Sequence, residues 1–206
     1  VLDDRPCTPF YCSPLEPGPC IPEIDYPYGQ NLQLTIKSVP AEADRAKYQK
    51  PDHDLDTIGV LQSPGYRAIG GENLSPWSKR VTSRVERLMR FEGDQILPGD
   101  RLPPDNAGGF LLNAMNVEPA AEAEFNEWYN TEHIPALAAV PGVLCARRFR
   151  ATSANRRYVA LYHLVSPDVQ ATPAWKSAAD TEWTRKLRPH FRDHLQLVCK
   201  RYTRSA

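Results

Sequence analysis

His133 is the residue in this chain best placed by type and spacing to do chemistry. It lies in FNEWYNTEHIP, residues 125–135. An unperturbed imidazole titrates close to neutrality, so it can take or give a proton under ordinary conditions. Tyr129 precedes it by one helical turn, which sets phenol and imidazole on one helix face. Glu132 is adjacent and could orient the ring or stabilise its charge. An enolising or cyclising reaction needs such a base, together with a donor that holds the developing oxyanion. The residues alone read equally well as a histidine packing the end of a kinked helix.

His163, in YVALYHL (158–164), is the second polar candidate. Alternation sets Tyr158, Ala160, Tyr162 and Leu164 on one strand face and Val159, Leu161 and His163 on the other. The pattern does not say which face lines a ligand, and a packed sheet histidine is the commoner case. Arg147 points opposite to Arg148 and Arg150. One inward arginine, taken as Arg148, could bind a carboxylate or phenolate. Trp128, Trp175 and Trp183 read first as core residues. Trp128, Tyr162 and Trp183 are also the candidate aromatic lining of a substrate site. His53 in PDHDLD is a weak counterpart of His133, and His190 and His194 are expected in solvent. H-E-x-x-H, P-loop and G-x-G-x-x-G patterns are absent, and no metal-ligand spacing stands out. No metal site is expected.

The elements that must position these residues are clearest after residue 109. Phe110–Val117 is expected as a strand, followed by a helix with an acidic first turn that runs to about Ala139. Pro135 should kink that helix just after His133. Pro141–Gly142 is a turn, Val143–Phe149 and Tyr158–Leu164 are strands, Pro173–Leu187 is a helix, and His194–Tyr202 is the last strand.

The first half is less regular. NLQLTIKSV (31–39) alternates as a strand, and LDTIGVL (55–61) is expected as another. Trp77, Val81, Val85 and Leu88 recur at helical spacing, and FEGDQIL (91–97) closes the unit. PGDRLPPDNAGG (98–109) is the best linker. Residues 1–30 carry seven prolines and are expected as an extended arm packed on the body, since proline excludes a helix or central strand there. The domain reading is therefore an arm (1–30), a first, degenerate unit (31–97), a linker (98–109) and a second unit (110–206).

Lys+Arg and Asp+Glu are both 25. That balance argues against nucleic acid as a partner, and no apolar run is long enough for a membrane span. VLDDRPCTPFYC is not read as a signal peptide, and a cytoplasmic setting is expected. Of five cysteines, Cys145 and Cys199 read as small buried hydrophobes. Cys7, Cys12 and Cys20 could pair only in an oxidising compartment.

The halves also share a repeat. SPGYRAIGGENLSPWSKRVTSRVERLMRFEGDQI matches ATPAWKSAADTEWTRKLRPHFRDHLQLVCKRY, with Tyr66 against Trp175 and Trp77 against Trp183. A repeat of this length implies two related structural units.

FNEWYNTEHIPALAAVPGVLCARRFR, YVALYHLVSP and WKSAADTEWTRKLRPHF together resemble the EthD-like branch of the dimeric α+β barrel superfamily. The resemblance covers about 110–202 well and 55–97 weakly. It implies an α+β fold of tandem ferredoxin-like units whose sheets pair into a barrel, within one chain or as a homodimer. The superfamily includes cofactor-free monooxygenases, polyketide cyclases, lactone isomerases and haem-dependent enzymes. The expected function is cofactor-free cyclisation, isomerisation, dehydration or decarboxylation of a polyketide-like or aromatic small molecule. His133, Tyr129 and Glu132 would be catalytic, and Trp128, Arg148, His163, Tyr162 and Trp183 would bind substrate. The alternatives are a haem enzyme with His133 or His163 as axial ligand, and a non-catalytic binding protein.

Overall fold

The computed structural model describes residues 10–13, 31–38, 54–55, 58–83, 86–97, 104 and 106–201. Among the described residues eight strands form one antiparallel sheet: β1 (Phe10–Ser13), β2 (Asn31–Ser38), β3 (Asp54–Leu55), β4 (Glu86–Leu97), β5 (Gly109–Val117), β6 (Val143–Ser153), β7 (Tyr158–Leu164) and β8 (Phe191–Arg201). Their order across the sheet is β1-β8-β5-β7-β6-β4-β2-β3. The helices are α1 (Pro64–Ile69), α2 (Pro76–Thr82), α3 (Glu122–Trp128), α4 (Ile134–Ala138), α5 (Pro173–Ala179) and α6 (Glu182–Leu187).

From β5 onward the chain runs strand, helix, strand, strand, helix, strand, and every strand there is paired. The two faces of this sheet carry separate cores. Helices α3 to α6 cover one face, where Leu111, Met115, Ala146, Tyr158, Ala160, Tyr162 and Leu164 meet Phe125, Trp128, Leu137, Trp175 and Leu187. The other face gathers Met89, Phe91, Phe110, Leu112, Phe149, Val159, Leu161 and Leu197 with no helical residue among them. Strand register sorts the side chains. Ala146 and Arg148 stand opposite Tyr162 and Ala160, while Cys145 and Arg147 stand opposite His163 and Leu161. The helix-covered face is thus the one bearing Tyr162 and Arg148, and His163 and Arg147 lie on the other.

The halves join through β4 and β6, which pair from Glu92↔Ser153 to Leu97↔Arg148 with two bulges. Gly93 sits at the first bulge, where a Cβ would come 2.4 Å from the Arg150 carbonyl oxygen. At the other end of the sheet β1 pairs with β8, Phe10↔Arg201 to Ser13↔Val198. The remainder of the proline arm, most of the linker and His53 lie outside the described residues.

Several elements differ from the sequence reading. The strand expected over 55–61 is only Asp54–Leu55. Ile58–Gln62 winds instead as a 3₁₀ turn. The helix expected to carry Trp77, Val81, Val85 and Leu88 stops at Thr82, and Leu88 belongs to β4. From Met89 burial alternates strictly: Met89, Phe91, Gly93 and Gln95 are buried, while Arg90 and Asp94 are exposed. Period two overrides the helical spacing there, and Trp77 is left 44% exposed. The helix expected over 173–187 is two, divided at Asp180, with Thr181 as N-cap of α6 and its Oγ1 accepting from the Thr184 N–H at 3.1 Å. Cys199, read as a small hydrophobe, is disulfide-bonded. Such a bond belongs more often to an oxidising setting than to the cytosol. Cys145 is a buried thiol.

Among the described residues no helix is long and apolar enough to cross a membrane.

Candidate functional site

Helices α3 and α4 form one continuous rod, and Tyr129–His133 between them is a π-helical turn. Pro135 explains it. Proline has no N–H to give the carbonyl one turn back, and its ring crowds that carbonyl. The expectation was a kink after His133. The chain instead widens the preceding turn, and Thr131 Oγ1 donates to the Glu127 carbonyl at 2.8 Å. Such widened turns recur at functional sites. Here the turn sets Trp128, Tyr129 and His133 together against the sheet, all three buried.

The rings pack closely. His133 lies on Trp128 with centroids 4.2 Å apart and planes tilted by 32°. It meets Tyr129 edge-on at 5.1 Å. Phe125 completes the group, 4.9 Å from Tyr129 and 5.2 Å from Tyr158. Below them Arg148 rises from β6 and is only 1% exposed. Its Cζ lies 4.5 Å from the Tyr129 ring centroid, 4.9 Å from that of Tyr158 and 5.2 Å from that of Phe125. Two amides fix the guanidinium: Nη1 donates to Asn130 Oδ1 at 2.8 Å, and Nη2 to Asn126 Oδ1 at 2.7 Å. Asn126 and Asn130 are four apart on the rod, so both reach the same group.

Three buried polar atoms here have no hydrogen-bond partner, Trp128 Nε1, His133 Nδ1 and Arg148 Nε, while the Tyr162 phenol meets that of Tyr129. Buried polar atoms are ordinarily satisfied, so three adjacent exceptions call for an explanation. Burial, and then the charge of Arg148, lower the His133 pKa to about 3. Burial pushes the Tyr129 phenol up to about 12, against the opposing pull of Arg148. Tyr162 is raised well above its ordinary value, chiefly by burial. Burial also pulls Arg148 down, partly offset by the phenols of Tyr129, Tyr158 and Tyr162. At neutral pH the site therefore holds a neutral imidazole, protonated phenols and one guanidinium.

The other candidates fall elsewhere. Glu132 Oε1 accepts from Thr181 Oγ1 at 2.5 Å, tying the rod to α6. Trp183 Nε1 donates to Glu124 Oε1 at 2.9 Å and ties the same helices nearer the surface. His163 is buried on the opposite sheet face beside Arg147, and burial and that charge lower its pKa to about 3. Arg147 Nε donates to Gln95 Oε1 at 2.7 Å there. His190 is half-buried, with Nδ1 2.6 Å from Glu118 Oε2. Among the described residues no group of three His, Cys, Asp or Glu side chains could hold a metal ion.

The chain matches no protein-family profile and no curated protein. Among the solved structures that align with it are two bacterial proteins. One is a proposed monooxygenase of Lactobacillus acidophilus NCFM, 12% identical, with TM-score 0.41 over 69% of this chain and 67% of that one. The other is a proposed monooxygenase of Fusobacterium nucleatum subsp. nucleatum ATCC 25586, 9% identical, with TM-score 0.42 over 69% of this chain and 62% of that one. Overlap of this extent assigns neither substrate nor reaction.

The sequence reading missed Asn126 and Asn130. Their signal was available: two asparagines a helical turn apart on the face that carries Tyr129 and His133. Nothing in the sequence said that Arg148 would lie beneath them.

Proposed function

We propose that the chain is a cofactor-free enzyme of proton-transfer chemistry, acting on a small, largely apolar, oxygenated molecule of the polyketide or aromatic type. One observation carries this reading. A neutral imidazole, a protonated phenol and an arginine are buried together, and His133 Nδ1 and Arg148 Nε have no partner.

A substrate carbonyl oxygen would sit against Arg148 Nε, with the adjacent C–H facing His133 Nδ1. The imidazole takes the proton, the C–H electron pair moves into the carbonyl, and the resulting enolate is held by Arg148 and the Tyr129 O–H. Return of that proton from the imidazolium to another carbon, or to a departing oxygen, completes an isomerisation or dehydration. Attack of the enolate carbon on a second carbonyl of the same molecule completes a cyclisation, with the proton delivered to the new alkoxide. With nothing bound, His133 is a weak base, because burial and the Arg148 charge oppose its protonation. Negative charge developing between them reverses the second effect, so basicity rises along the reaction, where it is useful.

A haem would need an open, flat slot at the edge of its axial histidine. His133 is buried against Trp128 and Tyr129, and His163 is buried beside the Arg147 cation; neither borders such a slot, and no step is routed through that group.

The same proposal takes the halves as tandem ferredoxin-like units. In support, β8-β5-β7-β6 follows the strand order of a β-α-β-β-α-β unit, and β4-β2-β3 repeats three of its four places. Helices α1 and α5 also start alike. Ser63 and Thr172 each precede a proline, and each caps the N–H of an aromatic, Tyr66 or Trp175, at 3.2 Å.

The test is exchange of carbon-bound hydrogen for deuterium in D₂O, followed by NMR across a panel of β-diketones and aromatic lactones. His133→Ala should remove exchange and leave the circular dichroism spectrum unchanged. Exchange that survives the substitution sinks the reading.

A further inference from the structure

Arg148 is the most buried arginine on the helix-covered face, and no carboxylate pairs with it among the described residues. Surface arginines do better: Arg157 pairs with Glu122 at 2.7 Å, Arg185 with Asp180 at 3.0 Å, and Arg192 with Glu118. Glu122 comes nearest to Arg148 in the hydrogen-bond network but is already engaged. It accepts from the Tyr158 O–H at 2.6 Å, and the Tyr158 oxygen in turn accepts from Asn126 Nδ2 at 3.1 Å. A buried charge without a counter-ion is strongly unfavourable, as when one partner of a buried pair is removed. The surrounding rings favour a cation but do not neutralise it.

We infer that the ligand of this site carries a single planar oxyanion, a carboxylate or an enolate or phenolate, and docks on Arg148 as its missing counter-ion. Asn126 and Asn130 act as positioning residues. They hold Nη1 and Nη2, so the guanidinium cannot turn, and they leave the Nε–H free. A guanidinium has five donors, so three remain for a ligand. Charge sets the valence: one arginine neutralises one negative charge. The adjacent side chains that could titrate are phenols and a neutral imidazole, and none of them supplies a second cation. Phosphate dianions and dicarboxylates are therefore poor ligands. Trp128, Tyr129 and Phe125 make the surroundings of Arg148 aromatic and apolar, which favours an apolar remainder of the ligand.

This inference rests on the same site as the proton-transfer reading, but binding alone tests it. The intact chain would be titrated with formate, benzoate, 4-nitrophenol and the neutral benzamide, by calorimetry and by thermal unfolding. Benzoate should bind at least about tenfold more tightly than benzamide and raise the unfolding midpoint with concentration. Binding of benzoate but not 4-nitrophenol assigns the carboxylate. Binding of 4-nitrophenol as its yellow phenolate, below its solution pKa, assigns the enolate type. Arg148→Met should abolish the preference for the anion. Arg148→Lys, which keeps the charge and guards against failed folding of the first variant, should retain the preference at lower affinity. Equal binding of benzoate and benzamide, no binding of any of the three anions, or an undiminished preference in Arg148→Met overturns the inference. Benzoate binding without any deuterium exchange would remove the reaction and keep the anion site.

Discussion

The guanidinium of Arg148 lies over the face of Tyr129, with its Cζ 4.5 Å from the ring centroid. A cation there favours the phenolate, but burial disfavours it more, and the net result is a phenol pushed up to about 12. Tyr129 is thus a hydrogen-bond donor throughout the working range of any enzyme. Its face is taken by the cation, and its hydroxyl meets the Tyr162 phenol.

Tyr129→Phe isolates that hydroxyl, since the ring and its contacts with Arg148, Phe125 and His133 persist. If the phenol stabilises an oxyanion, kcat should fall by about a hundredfold or more while KM changes little. A rise in KM with kcat unchanged would make Tyr129 a binding contact only. Ultraviolet titration adds a check. The tyrosines that ionise last should lose one of their number in this variant.

The two buried histidines make stability depend on acid. His133 and His163 both have folded pKa values of about 3, against 6.5 when unperturbed. Between those values the unfolded chain binds their protons and the folded chain does not, so stability rises with pH and is lost as pH falls. The stabilising effect is complete above about 6.5 and gone near 3. Each histidine contributes on the order of a few kcal/mol to the change. Arg148 faces His133 and Arg147 faces His163, and both charges add to the effect of burial. Urea unfolding at stepped pH should show this slope, and His163→Gln should flatten it. A flat profile in the wild-type chain would mean that these rings admit water.

Much of this site could be read from the chain, and some could not. The i, i+4 relation of Tyr129 and His133 follows from helical period alone, and the structure keeps the two in ring contact. The alternation of β7 sorted Tyr162 from His163, but only the register with β6 and the helices above decide that Tyr162 faces the site. Arg148 was one of three arginines on one strand, and its selection depends on which face the helices cover. That is a tertiary fact, with no local signature. The π-turn is a different case. Pro135 announced a disturbance, but a kink and a widened turn both relieve the same missing N–H. In the first half the helical spacing of Trp77 and Val81 holds within α2, but its continuation to Leu88 is coincidence, and the pairing of β4 with β2 and β6 makes that residue part of a strand.

Glu132 gives a case in which neighbours in sequence part in role. Its carboxylate accepts from Thr181 Oγ1, and Thr181 also caps α6. Thr181→Ala should cost about 1 kcal/mol, the usual effect of losing a threonine cap, and leave the anion preference at Arg148 unchanged. Glu132→Gln should likewise leave turnover within about twofold, since a few tenths of a kcal/mol is all that a surface-side contact commonly contributes. A loss of turnover in Glu132→Gln, with stability intact, would return Glu132 to the catalytic group.

The sharpest variant changes one atom at the edge of the site. Asn130 Oδ1 accepts from Arg148 Nη1 at 2.8 Å, and its residue is exposed, so a carboxylate is tolerated there. Asn130→Asp would give Arg148 an internal counter-ion in place of a neutral amide. Charge-assisted bonds are roughly twice as strong as neutral ones, so the folded chain should unfold at a higher temperature. The same carboxylate competes with any incoming oxyanion, so benzoate affinity should drop by about tenfold or more, on the order of 1.4 kcal/mol. Stability and binding then move in opposite directions, as expected when a site is held unsatisfied for its ligand. If Arg148 were only a structural residue, the variant would change stability and leave no trace in binding. If both fell together, the added charge would have disturbed the rod itself. Asn130→Ala separates that case, because it loosens the guanidinium without adding charge and should weaken benzoate only modestly.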